Sequence, residues 1–102
     1  MKTIMLATDL SPRAHHALER AVELAEGRQA HLDIVHVVDE DLPGNLIEQH
    51  RRSAEEAIHD RLRIVAGADK IALDVHVLAG RVRAQVLGLA KLRTSELLVL
   101  GT

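Results

Sequence analysis

The sequence contains no cysteine, phenylalanine, tyrosine or tryptophan among its 102 residues. Without cysteine the chain can form no disulfide, thiolate metal site or thiol nucleophile, a composition compatible with a reducing compartment. Without Phe, Tyr or Trp it lacks the large aromatic side chains on which many single-strand binders stack nucleobases. The net charge of −2 gives no general attraction to nucleic acid or to anionic lipid. We therefore expect neither nucleic acid nor a membrane as a partner.

Long hydrophobic runs are also missing. No run approaches the ~20 apolar residues that span a bilayer, and Met1 and Lys2 lead into a predicted strand without a signal-peptide pattern. The apolar share of 47% is ample for a core built from Leu, Val, Ile and Ala. The composition predicts one cytoplasmic domain that covers residues 1–102.

A buried strand and a sharp turn open the chain. Residues 4–7 are all apolar, which is typical of a strand with both faces buried. Thr8 and Asp9 end the run, and Ser11 and Pro12 are predicted to be the N-cap and first residue of a helix. Asp9 would then lie where open α/β sheets bind ligands. In the alternative interpretation, its carboxylate only caps the helix or bonds within the loop.

Strand and helix patterns alternate along the rest of the chain. The first helix is predicted to end at Gly27, and later elements are a strand at 32–38, a helix at 46–66, a strand at 71–78, a helix from Val82 to Arg93 and a strand at 96–100. This alternation predicts an α/β fold with an open, doubly wound, Rossmann-like parallel sheet. Apolar and polar residues alternate strictly in the third strand, which places it at an edge and favours the order 3-2-1-4.

The predicted order reverses direction between strands 1 and 4. The ends of these strands, Thr8-Asp9 and Gly101-Thr102, bound a crevice at that point. Strand 4 has a continuous apolar sequence and is predicted to be buried on both faces, yet nothing follows to cover it. We expect that a partner chain pairs with this strand, or that the chain is the front part of a longer protein, which we favour.

Four segments together resemble the universal stress protein family. They are residues 4–11, the strand 32–38 with Asp39 after it, Gly80 after the third strand, and residues 98–102. The similarity spans the whole chain. It implies a five-stranded parallel sheet whose fifth strand is missing from this sequence, a homodimer, and a role in the stress response. It also implies ATP as the cofactor, with Mg²⁺ as its companion ion.

The resemblance assigns six residues to an adenine-nucleotide site, namely Ala7, Thr8, Asp9, Val38, Gly101 and Thr102. The first three lie near the base and ribose, the fourth contacts adenine through its backbone, and the last two begin the phosphate loop. The later glycines of the family's Gly-x-x-Gly-x9-Gly-Ser/Thr pattern lie beyond the last residue. The implied function is ATP binding with a regulatory role and no strong catalysis. The alternative is an interaction or dimerisation module of the same fold that binds no nucleotide.

Seven histidines raise the question of a metal site. No pair has i,i+4 spacing or an HExxH pattern and no cysteine assists, so the sequence predicts no metal site. His36 is interpreted as a structural residue. Four basic residues of the third helix are interpreted as serving solubility, because the overall charge is negative; they are Arg81, Arg83, Lys91 and Arg93.

Overall fold

The computed structural model describes residues 2–101 of the chain. Within them, parallel strands alternate with helices in the predicted order. The elements are β1 Thr3–Thr8, α1 Ala14–Arg28, β2 His31–Asp39, α2 Gly44–Leu62, a short 3-10 helix Ala68–Lys70, β3 Leu73–Gly80, α3 Val82–Leu92 and β4 Leu97–Gly101. The predicted α/β class is confirmed.

The strands form one sheet in the order β3-β2-β1-β4, which confirms the predicted order. Pairing of β1 with β2 ends at Ala7 and Val35, and pairing of β1 with β4 ends at Thr8 and Gly101. Pairing of β2 with β3 continues as far as Gly80. The last part of β2 therefore extends past β1, and its backbone edge borders the point where the strand order reverses.

Helices cover the sheet on both faces. Consecutive side chains of a strand point to opposite faces, so β1 contributes Ile4 and Leu6 to a core with α1 and α2. Met5 and Ala7 face the other way and pack with Val86 of α3. All four of these β1 side chains are buried, as the uninterrupted apolar sequence predicted.

The prediction that β4 is buried on both faces is wrong. Leu97, Leu98 and Val99 are only half-buried, and Leu100 is 64% exposed. The reason is position: β4 is an edge strand, α1 packs against one of its faces, and α3 lies over β2 and β3 on the other. A continuous apolar run cannot tell a covered strand from an edge strand whose second face is open. The predicted edge position of β3 is confirmed.

The start of α1 also differs from the prediction. The helix begins at Ala14, not at Pro12, and its N-cap is Arg13, whose side chain makes no capping bond. Ser11 is not the cap, because its backbone belongs to the preceding turn. Its N–H donates to the carboxylate of Asp9 and its carbonyl accepts from the N–H of Ala14.

Two helix ends were misplaced for different reasons. Gly27 remains inside α1, and Gln29 with a φ of 53° is the left-handed residue that ends the helix. The second helix ends at Leu62, not at residue 66. Val65 is buried and continues the helical spacing, but its N–H bonds to Leu62 in a turn outside the helix. The hydrophobic periodicity of the sequence identifies Val65 as a buried residue but does not reveal that the helical backbone ends before it.

Candidate functional site

A crevice of about 520 Å³ opens at the carboxyl edge of the sheet, between β1, β4 and α3. It lies where the strand order reverses, the usual ligand site of open α/β sheets. Ala7, Thr8, Asp9 and Gly101 all line it. The N–H of Asp9 donates to the carbonyl of Gly101 over 3.0 Å, so the ends of β1 and β4 are joined directly. The structure thus brings together four of the six residues predicted for the site.

The loop after β1 is held by short-range hydrogen bonds. Thr8 Oγ1 accepts from the N–H of Leu10 at 3.1 Å, and Asp9 Oδ1 accepts from the N–H of Ser11 at 2.9 Å. The second bond is the loop contact that the alternative interpretation of Asp9 predicted. A carboxylate has acceptor capacity beyond one such bond, and this side chain is exposed. The loop contact therefore orients Asp9 and leaves it able to bind a ligand.

Ser11 also fixes the charge of Asp9. The nearby Ser11 hydroxyl, and then the Ser11 backbone N–H, hold the pKa of the Asp9 carboxyl below its usual range. The Ser11 N–H forms a hydrogen bond of normal geometry with the Asp9 carboxylate. The Ser11 hydroxyl forms no hydrogen bond of full geometry with any group in residues 2–101. Asp9 is therefore an anion throughout the physiological pH range and acts as a hydrogen-bond acceptor there.

Arg61 of α2 supports the same loop, and the sequence analysis missed it. Its guanidinium donates to the carbonyls of Leu10 and Ser11, the second over 3.2 Å. Leu10 has a φ of 62°, which is uncommon for a residue other than glycine. Charge-assisted bonds to both carbonyls hold this conformation. No local pattern could reveal the contact, because Arg61 follows the loop by about 50 residues.

His36 borders the crevice from β2. Its Nδ1–H donates to the carbonyl of Thr8 over 2.8 Å, which ties the end of β1 to the extended part of β2. This contact confirms the structural interpretation of His36. The same ring lines the crevice, so its position bears on the site as well as on the fold.

The other two predicted site residues stand apart from this group. The side chain of Val38 is buried on the opposite face and lines a second cavity of about 590 Å³ under α2. Its backbone belongs to the part of β2 that extends past β1, but its N–H and carbonyl point toward β3, away from the crevice. Thr102 lies outside the described residues, so its predicted role stays a prediction.

The walls of the crevice are mostly aliphatic. The apolar lining residues with large side chains include Val37, Val82, Val86, Leu98 and Leu100. Arg83 adds a positive charge at the mouth. An apolar slot with a few polar groups at one end is the usual form of a small-molecule site, and here the polar end is Asp9.

The comparison with known proteins decides the family. The family model described as "Universal stress protein family" matches residues 1–102. The chain belongs to the universal stress protein family. It is 30% identical to universal stress protein A homolog 1 of Coxiella burnetii over 115 residues, which covers 99% of this chain and 76% of that protein.

Solved structures of universal stress proteins share the fold. UspA from Lactobacillus plantarum superposes with a TM-score of 0.85 at 25% identity, covering 97% of this chain and 75% of that one. A universal stress protein in complex with cAMP matches with a TM-score of 0.66 at 23% identity, covering 95% and 69%. Among residues 2–101 of the present universal stress protein, no helix has the length and apolar character of a membrane span.

Gly101 of this universal stress protein has a packing reason to be glycine. A Cβ at this position would lie 3.2 Å from Cβ of Ala17 and 3.4 Å from the carbonyl oxygen of Ala7. Helix α1 therefore approaches β4 so closely that a side chain here would require its neighbours to shift by a few tenths of an ångström. The glycine is explained by this approach alone, so it is no evidence by itself for a phosphate-binding loop.

A second polar cluster lies at the amino edge of the sheet, far from Asp9 along the strands. Asp33 of β2 is fully buried, and its Oδ2 accepts from Nε of Arg93 over 3.0 Å. Its Oδ1 accepts from Nε2 of His76 over 2.8 Å. The interpretation of Arg93 as a solubility residue is therefore wrong. An acidic residue inside an apolar strand was the signal that could have revealed the pair.

Burial alone would raise the pKa of the Asp33 carboxyl. Hydrogen bonds from His76 and Arg93, together with the charge of the guanidinium, outweigh burial and hold that pKa below its usual value. The same ion pair raises the pKa of Arg93. Asp33 is thus a buried anion with compensating donors, as buried charges require.

Proposed function

We propose that this universal stress protein binds an adenine nucleotide in the crevice between β1 and β4. The observation that carries the proposal is the exposed, ionised carboxylate of Asp9 at the polar end of an aliphatic slot. Acidic residues in related α/β folds accept hydrogen bonds from ribose hydroxyls. The crevice volume of about 520 Å³ lies within the range of small-molecule sites.

The described residues fit the adenosine half of a nucleotide. Asp9 would accept from the ribose hydroxyls, and the aliphatic walls would contact the faces of the base by dispersion. Ala7 and Thr8 lie beside Asp9. The N–H and carbonyl of Val38 point toward β3, so a backbone contact with the edge of the base would come from its neighbour Val37, which lines the crevice on the part of β2 that extends past β1. The pre-formed loop lowers the entropic cost of binding.

The phosphate half is the less developed part of the proposal. Phosphates would leave the crevice past Gly101, and Arg83, which lines the crevice, would attract their charge. ATP is the proposed ligand, and Mg²⁺ would accompany its phosphates; we assign no described side chain to the ion. The solved complex of a universal stress protein with cAMP supports an adenine nucleotide as the ligand class.

We propose that binding is regulatory. Occupation of the crevice would tie β1, β4 and the α3 face together and so change the stability or assembly of the protein. Any hydrolysis of ATP would be slow and incidental. We also propose a stress-response role and a cytoplasmic location; the family supports the first, and the cysteine-free composition, which suits a reducing compartment, supports the second.

Calorimetric titration with ATP tests this proposal. The chain, and a version extended by the residues that follow Thr102 in the natural protein if there are any, should release or absorb heat with saturable binding. Asp9→Ala should weaken binding by about tenfold or more, since it removes hydrogen bonds from a charged acceptor. Asp60→Ala is the matched control, because Asp60 is an exposed aspartate of α2 away from the crevice. Absence of binding in both versions would refute the proposal.

The exposed edge of β4 favours a second candidate function, that of an interaction module. Leu100 is 64% exposed on an apolar edge strand, and such edges pair readily with another chain. We propose that a second copy of the chain pairs with β4 to give a homodimer. Sedimentation should show a dimer that Leu100→Lys weakens. Ile64→Lys, at an equally exposed apolar residue elsewhere, should leave the dimer intact. A monomer at all concentrations would contradict this candidate.

A further inference from the structure

The polar cluster at the amino edge of the sheet contains an arrangement that its ion pair does not explain. Nε2 of His31 lies 3.2 Å from Oδ1 of Asp33 and 3.1 Å from Oδ2 of Asp74. The three atoms lie within 4.8 Å of one another. Asp33 and Asp74 are register partners on β2 and β3, so the sheet itself holds the two carboxylates side by side.

A single hydrogen on Nε2 of His31 cannot bond well to both carboxylates at once. A neutral imidazole carries at most one hydrogen on Nε2, yet two carboxylate oxygens approach that atom at nearly equal distances. Asp33 and Asp74 bring two negative charges, and Arg93 offsets one of them. The cluster therefore has both a geometry and a residual charge that suit a small cation.

We propose that His31, Asp33 and Asp74 form a binding site for a divalent transition-metal ion such as Zn²⁺. Bonds of about 2.0–2.2 Å to a tetrahedral Zn²⁺ place neighbouring ligand atoms about 3.4 Å apart. The distances of 3.2 Å and 3.1 Å around His31 Nε2 are close to that spacing. One imidazole nitrogen and two carboxylate oxygens are a ligand set that Zn²⁺ uses, with water in the remaining position.

The surroundings of Asp33 are those of a supported metal ligand. Its side chain is fully buried, Oδ2 is held by Nε of Arg93, and Oδ1 accepts from Nε2 of His76. Such outer contacts orient the carboxylate and leave a lone pair of Oδ1 for the ion. The side chain of Asp74 is 55% exposed, so the site has an open side through which an ion and its water can enter.

Arg93 competes with the ion. One of its terminal nitrogens, Nη2, lies 3.4 Å from Nε2 of His31 and 3.5 Å from Oδ2 of Asp74. The guanidinium thus supplies the positive charge at this place when no ion is bound. Metal binding would shift that nitrogen away while Nε keeps its bond to Asp33.

The site is independent of the proposed nucleotide site. The metal cluster lies at the amino ends of β2 and β3, whereas Asp9 and Gly101 lie at the carboxyl ends of β1 and β4. A metal titration can succeed or fail whatever the outcome with ATP.

The test is a calorimetric titration of the untagged, chelator-treated chain with Zn²⁺ near neutral pH. We expect one ion per chain and a higher melting temperature with the ion. Asp74→Asn should weaken binding by about tenfold or more, in line with losses at metal sites. Asp74 is exposed, so its variant keeps the fold; His31→Gln should show the same loss. His50→Gln is the control, because His50 is an exposed histidine of α2.

Two results would overturn the proposal. The first is the absence of saturable Zn²⁺ binding to the native chain. The second is binding that Asp74→Asn leaves unchanged, which would place the ion on the exposed histidines elsewhere.

Discussion

Arg93 donates from Nε to Oδ2 of Asp33 over 3.0 Å, and this bond ties the residue after α3 to a buried carboxylate near the amino end of β2. The two residues are 60 positions apart in the sequence. Asp33 is fully buried, whereas the Arg93 side chain is 38% exposed. The pair therefore lies partly in low dielectric, where loss of one partner leaves a charge without compensation.

Arg93→Ala should destabilise the protein clearly more than the loss of an exposed ion pair does, because the buried Asp33 carboxylate keeps its charge and loses its partner. Denaturant unfolding of the metal-free protein measures this difference. Arg63→Ala is the control, since Arg63 pairs with Asp60 on the exposed surface of α2; its cost should be within about 0.5 kcal/mol of zero. Equal effects in the two variants would contradict the structural role of Arg93.

Acid should destabilise the protein through Asp33. The folded-state pKa of Asp33 lies below its unfolded value, which is about 3.9. Its stabilising contribution is therefore complete well above the unfolded pKa and is lost as the pH falls through the folded pKa. Melting temperatures should decline below about pH 4. Asp33→Asn should be less stable near neutral pH and should show a shallower acid decline; an unchanged decline would assign the acid sensitivity to other carboxylates.

Gly101→Ala should destabilise the junction of α1 and β4 by about 1–3 kcal/mol, the usual cost of overpacking. The added methyl would lie 3.2 Å from Cβ of Ala17. Gly88→Ala is the matched control, because no atom lies within 4 Å of the Cβ it would add. That change in the interior of α3 should stabilise by about 0.5–1 kcal/mol. Thermal unfolding distinguishes the two, and stabilisation by both would refute the close approach.

Arg61→Met should loosen the loop that carries Asp9. It removes the bonds to the carbonyls of Leu10 and Ser11 and keeps most of the aliphatic stem. We expect a stability loss of about 1.5–3 kcal/mol, faster amide exchange at Leu10 and Ser11, and weaker adenine-nucleotide binding. Arg52→Met is the control on the same helix, where the side chain is 78% exposed. If amide exchange in the loop does not change, Arg61 does not hold it.

The repetitive part of the fold could be predicted from the sequence. Uninterrupted apolar residues identify the buried strand β1, and strict alternation identifies β3 as an edge. Alternation of strands and helices then restricts the topology to a parallel sheet with right-handed crossovers. The ends of the helices were harder to predict from the sequence, since Gln29 takes the left-handed conformation that Gly27 was expected to take. The left-handed position at the end of α1 is therefore occupied by a residue that lacks glycine's intrinsic preference for that conformation.

The site could be predicted only where it depends on strand ends. Topology places Asp9 and Gly101 together, because both end neighbouring parallel strands. Contacts between distant segments left no pattern in the sequence: Arg61 reaches the β1–α1 loop from α2, and Arg93 reaches Asp33 from the end of α3. In the sequence, each looks like an ordinary basic residue of an amphipathic helix, and only the folded structure reveals its partner.

The most direct test of the account is whether Asp9 recognises the ribose of an adenine nucleotide. Adenosine and 2′,3′-dideoxyadenosine are titrated into the native protein and into Asp9→Ala, and binding is measured by calorimetry or by ligand-detected NMR. The native protein should bind adenosine about tenfold or more tightly than the dideoxy compound, and Asp9→Ala should bind both with the same, weaker affinity. Equal binding of both compounds by the native protein, or discrimination that survives in Asp9→Ala, would contradict the account.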